Sequence, residues 1–118
     1  MRRWGWGLAL VLLLEPGVAV AQVTSSHHHF ALVGATSAVT VRPSRTNRVF
    51  LELLNDSTNS IYCTVDGTTT PTASDGIRLQ ATAGRSDRAV FDRNVPTAVI
   101  SCISDTGQNR LLILESYK

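Results

Sequence analysis

The stretch 48–65, RVFLELLNDSTNSIYCTV, most constrains what this chain can fold into, because two alternating apolar runs flank a polar, turn-forming segment. Side chains of an extended chain alternate between two faces, so Val49, Leu51 and Leu53 share one face of the first run. Ile61, Cys63 and Val65 share one face of the second. Between them, 55–60 gathers Asn, Asp, Ser and Thr, whose side chains hydrogen-bond local backbone and favour turns. The pattern predicts a β-hairpin over 48–65 with later strands laid against it.

The remaining sequence supplies those strands. Thr36 to Val41 alternates polar and apolar residues, and Pro43, which has no N–H for a sheet ladder, ends it. Asp66-Gly67 and Asp75-Gly76 mark turns, with 68–72 between them, containing Pro71, as an edge strand or extended loop. Further strands are expected over 77–79, 86–91, 97–104 and 110–117, separated by Ala83-Gly84, Asn94-Val95-Pro96 and the turn 104–109. After residue 35 there is no apolar stripe of helical period and length. The expected fold is therefore all-β, a small antiparallel β-sandwich, jelly-roll-like, of seven or eight short strands.

The N-terminus has a different composition. A basic start (Arg2, Arg3), a short apolar core over 8–14, the breaker Pro16-Gly17 and Ala19-Val20-Ala21 before Gln22 form the pattern of a cleaved signal peptide. The apolar run falls short of the roughly 20 residues that span a bilayer, so no stable membrane span is expected after cleavage. The expected organisation is a signal peptide at 1–21, a flexible leader at 22–35 and the sandwich at 36–118. Without Arg2, Arg3 and Glu15, the 11 basic and 9 acidic residues fall to 9 and 8. Such a balance gives no electrostatic case for nucleic acid or for a polybasic membrane surface.

Cys63 and Cys102 each lie in an apolar alternating run and are expected to point inward. They form either a disulfide or a pair of small reduced core residues. Export to an oxidising compartment favours the disulfide, which would close a loop of about 40 residues. Two cysteines without matching histidines make no metal site. His27-His28-His29 falls in the expected leader with no carboxylate or cysteine nearby in sequence, and no metal is assigned to it.

Chemistry is otherwise sparse. The histidines lie outside the expected sheet, so a nucleophile would lack a well-held base, and no phosphate-binding loop or metalloprotease helix is present. Asp56, Asp66, Asp75, Asp87, Asp92 and Asp105 fall mostly at turns, where capping explains them better than an acid/base pair or a calcium site. Asn55-Asp56-Ser57 is an N-glycosylation sequon and also a plain turn. Tyr62, Phe91 and Tyr117 read as core packing. The series Arg78, Arg85, Arg88 and Arg93 reads as a solvated face, since Asp87 and Asp92 interleave with it. No catalytic residue, cofactor or small-molecule substrate is expected.

Taken in order, RVFLELLNDSTNSIYCTVDG, SDGIRLQATAG and VPTAVISCISDTGQNRLLILES resembles small β-sandwich virion proteins of tailed bacteriophages, of the head-decoration or structural type. The matching positions are Arg48, Asn55, Ser57, Tyr62, Gly76 to Leu79, Ala83-Gly84, Val95-Pro96 and Leu114-Glu115. The signal peptide and the paired cysteines depart from that pattern and fit an exported version of the same sandwich. The resemblance implies a non-enzymatic structural module whose partner is itself or a larger protein scaffold. The alternative is a periplasmic or secreted sandwich that binds carbohydrate or protein through its loops.

Overall fold

The computed structural model describes residues 25–80 and 87–118. The expected signal peptide, the Ala83-Gly84 turn and Arg85 lie outside the described residues. Eight strands follow one another: β1 (Ser25–Val33), β2 (Val39–Arg42), β3 (Arg48–Asn55), β4 (Ile61–Thr64), β5 (Ile77–Leu79), β6 (Asp87–Phe91), β7 (Ile100–Ser104) and β8 (Asn109–Tyr117). They form two four-stranded sheets, β1-β8-β3-β6 and β2-β7-β4-β5.

The pairings β1–β8, β2–β7, β3–β6 and β4–β5 are those of one long antiparallel hairpin folded at β4–β5 and rolled over. Contacts of β3 with β8 and of β4 with β7 close the roll into two sheets. This is the jelly-roll arrangement of eight strands, and the expected fold class holds. Alternation places Leu51, Leu53, Leu111 and Ile113 of the first sheet opposite Ile61, Cys63, Ile100 and Cys102 of the second, all fully or almost fully buried.

Two expectations are corrected. The stretch 48–65 is not a hairpin: β3 belongs to one sheet and β4 to the other, so 56–60 arches across the sandwich. Alternation reports which residues share a face, and it is equally satisfied by strands that pair with each other and by strands that face each other across a core. The turn chemistry carries the crossing. Asn55 is buried, and its Nδ2 donates to the carbonyls of Asn59 and Leu79, both at 2.8 Å. Its Oδ1 accepts from Ser57 N and Ser57 Oγ, which uses the amide's full bonding capacity. The sequon at Asn55 is thus closed in the folded protein.

The second correction is the leader expected over 22–35. Residues 25–33 form β1, a nine-residue strand paired along its whole length with β8. Serines and histidines at its start hid the alternation, which becomes visible once Ala31 and Val33 face the core and Phe30 and Leu32 face out. The stretch 68–72, by contrast, is loop. Asp66 caps it by accepting from the backbone N–H groups of Thr68 and Thr69 and from Thr69 Oγ1. Gly76 ends the same loop at φ 122°, where a Cβ would lie 2.7 Å from the Cys63 carbonyl oxygen. Glycine is required there by both conformation and space.

Candidate functional site

Cys63 and Cys102 are paired residues on β4 and β7, bonded as a disulfide with Cα atoms 4.1 Å apart. The bond joins neighbouring strands of one sheet rather than the two sheets. The short separation is that of a non-hydrogen-bonded antiparallel pair, where side chains approach most closely. Both cysteines are fully buried, so the bond is part of the core.

Near the end of β8 the apolar core gives way to charge. Glu115 is fully buried and in phase with the core residues Leu111 and Ile113. Its Oε1 accepts from Arg42 Nε and, at 2.6 Å, from the Tyr117 hydroxyl; its Oε2 accepts from Arg48 Nε at 2.7 Å. Arg48 is buried as well. Its Nη1 donates to the carbonyls of Pro96 and Ala98 and its Nη2 to that of Pro43, at 2.7, 3.3 and 2.8 Å. The desolvation of the ion pair is thereby offset by charge-assisted bonds to nearly every polar atom involved.

Both arginines reach this interior through β-bulges. Strict alternation from Leu51 and Leu53 would send Arg48 outward. The register of β3 on β8 shifts between Arg48 and Phe50, and Arg48 comes to lie opposite the inward-facing Tyr117. On β2, alternation from Val39 and Val41 would send Arg42 outward. A shift between Thr40 and Arg42 sets Arg42 opposite the buried Ile100. One bulge in each sheet delivers one guanidinium to the same carboxylate, which clasps the two sheets.

The histidines border this clasp. His29 Nε2 lies 3.4 Å from Glu115 Oε1 but makes no hydrogen bond, because Oε1 already accepts from Arg42 and Tyr117. Burial, and then the neighbouring Arg42 charge, lower the His29 pKa against the opposing pull of Glu115. Burial pushes the Glu115 pKa up, but the bonds from Tyr117, Arg48 and Arg42 outweigh it and hold the carboxyl below its ordinary range. His27 packs at a tilt against the Tyr117 ring, centroids 5.0 Å apart, and the Arg45 guanidinium lies 4.3 Å over that ring. Chemically the cluster is a carboxylate held below its ordinary pKa that accepts three charge-assisted or hydroxyl hydrogen bonds, suited to holding strands together.

The other residues singled out by sequence do not converge. His28 faces outward, away from His27 and His29. Among the described residues no three histidine, cysteine, aspartate or glutamate side chains are grouped for a metal ion. Tyr62 and Tyr117 are buried and Phe91 packs against the core. Arg78 stands on β5 in one sheet, while Arg88 on β6 in the other pairs with Glu52.

A surface that sequence reading missed lies on the outer face of the β1-β8-β3-β6 sheet. Ladder pairs set Phe30 beside Leu112 and Leu112 beside Leu54; His28 beside Leu114, and Leu114 beside Glu52, run parallel to them. Phe30, Leu32 and Val90 are 63, 55 and 47% exposed, and Leu54, Leu112 and Leu114 are half-buried between them. A shallow depression of about 230 Å³ opens among His28, Glu52, Leu54, Leu112 and Leu114. The signal was present in Leu111–Leu114, where four successive apolar residues must place two on each face. No protein-family model matches the chain, and no curated protein matches it.

Proposed function

We propose that the protein is a non-enzymatic structural module, exported through its N-terminal signal, that assembles on a particle or surface through the outer face of its β1-β8-β3-β6 sheet. The observation that carries this reading is the apolar row Phe30, Leu112 and Leu54, flanked by Leu32 and Val90, on a sheet face exposed to water. Exposed apolar side chains gathered on one sheet face and rimmed by charge, here Arg110 beside Leu32, Arg88 beside Leu54 and Glu52 beside Val90, mark an interaction site. The buried disulfide supports export, since such bonds persist in oxidising compartments. The jelly roll is an architecture shared by viral capsid and lectin domains, an analogy of fold that is compatible with a virion role. Arg48, Asn55 and Glu115, which carry part of the resemblance to phage virion proteins, hold the sandwich together and so speak for the scaffold. The role rests on the face.

The test is where the mature protein is found. It is expected to start at Gln22 and to co-purify with particles or an envelope surface. Replacing Phe30 and Val90 by serine should release it into the soluble fraction while leaving its unfolding midpoint unchanged. A soluble protein that is monomeric at high concentration and is retained on a glycan column would refute this reading in favour of a carbohydrate-binding module.

A further inference from the structure

The four sheet edges of the sandwich are not equally guarded. Native sheets blunt their edges with short strands, bulges, prolines and charges, because a bare edge templates pairing with another strand. β5 has only three residues. β2 has four, a bulge and Pro43 immediately after it. β6 begins with Asp87-Arg88. β1 carries none of these devices: it is nine residues long, SSHHHFALV, with no proline, glycine, lysine or acidic residue and no break in its register on β8. Among the described residues β8 is its only ladder partner, and apart from the Val33 carbonyl, which accepts from Ser104 Oγ, about half its backbone N–H and C=O groups face outward along the sheet.

We propose that β1 pairs antiparallel with β1 of a second copy, around a twofold axis at His29, joining two four-stranded sheets into one of eight. This names the first partner in the assembly proposed above and rests on that reading. The second copy is the occupant for two reasons. An antiparallel twofold at His29 overlaps all nine residues and sets outward-facing residues opposite outward-facing ones, Phe30 beside His28 and Leu32 beside Ser26 of the partner strand. It also brings the two exposed Phe30 side chains into diagonal contact and merges the two apolar faces into one larger surface. With cleavage after Ala21 only three residues precede Ser25, too few to cover a nine-residue edge. An interface of this kind is isologous and closes at two copies.

The test uses the processed full chain. Sedimentation across a range of concentrations should show a dimer. Ser26→Cys and Leu32→Cys, both at exposed positions, should form a disulfide-linked mixed dimer when combined under mild oxidation, because the register sets residue 26 opposite residue 32. Either variant alone should remain uncrosslinked, since each position then faces its own counterpart roughly 20 Å away at strand spacing. Crosslinking of Leu32→Cys to Val90→Cys instead would place the copies face to face and overturn the edge pairing. A strict monomer that still binds particles would also overturn it while leaving the assembly reading intact. A strict monomer absent from particles would remove both.

Discussion

Arg48 donates from Nε to Glu115 Oε2 at 2.7 Å, with both side chains fully withdrawn from solvent. The same carboxylate takes Arg42 from the opposite sheet, so one acidic residue pairs with two cations and ties β2, β3 and β8 together. A buried pair of this kind adds little over an apolar core of the same shape, yet losing one partner leaves uncompensated charge. Glu115→Ala is therefore expected to destabilise the fold by about 3–5 kcal/mol, a large share of a small domain's stability. The triple replacement Arg42→Met, Arg48→Met, Glu115→Leu should recover most of that loss. Urea unfolding of the two variants checks the contrast.

Acid should unfold the protein in stages. His29 titrates near 6.5 when unfolded and lower when folded, so the unfolded chain binds more protons between those values. Its contribution is complete above about 6.5 and declines as pH falls through the folded value. Glu115, ordinarily near 4.5 and lower in the fold, contributes above 4.5 and loses its share as pH falls through its folded value. Asp66, held at about 2 by Thr69 Oγ1 and the N–H groups of Thr69 and Thr68, keeps its share until pH falls to about that value. Midpoints of urea unfolding against pH should show a first decline below 6.5 that His29→Gln flattens, leaving the lower limb in place.

The disulfide closes a loop with a sequence separation of 39 residues. In the chain-entropy account this is worth about 4 kcal/mol, and removal from a small exported domain costs about 2–5 kcal/mol. Because both cysteines are fully buried, reductant should act only on opened molecules. Unfolded, unreduced mature protein should yield no reactive thiol, and Cys63→Ala with Cys102→Ala should lower the melting temperature. Two reactive thiols before reduction would contradict the bond.

Asn55→Ala should cost about 1–3 kcal/mol. It strips partners from the Leu79 and Asn59 carbonyls and from Ser57, leaving a buried carbonyl unpaired. Asn55→Asp should cost a comparable amount, since a carboxylate cannot donate to either carbonyl. Thermal unfolding of the two variants beside Asp56→Ala, at an exposed neighbour, separates the buried amide from the turn as a whole.

Sequence alone determined the all-β class, the strands from β2 onward to within a few residues, the turn chemistry at Asn55 and the inward setting of Cys63 and Cys102. These follow from local rules: alternation, turn residues and the exclusion of helical period. Which strand pairs with which was decided only in three dimensions, because an arch and a hairpin share one alternation pattern. The stretch 48–65 reads the same whether β3 and β4 lie side by side or face each other across the core. The clasp was hidden for a related reason. A bulge flips the face of every residue beyond it, so Arg42 and Arg48 read as outward-facing until the register of β2 on β7 and β3 on β8 is known. Glu115, in phase with Leu111 and Ile113, was the one legible hint, and it needed the bulged arginines to become a buried ion pair.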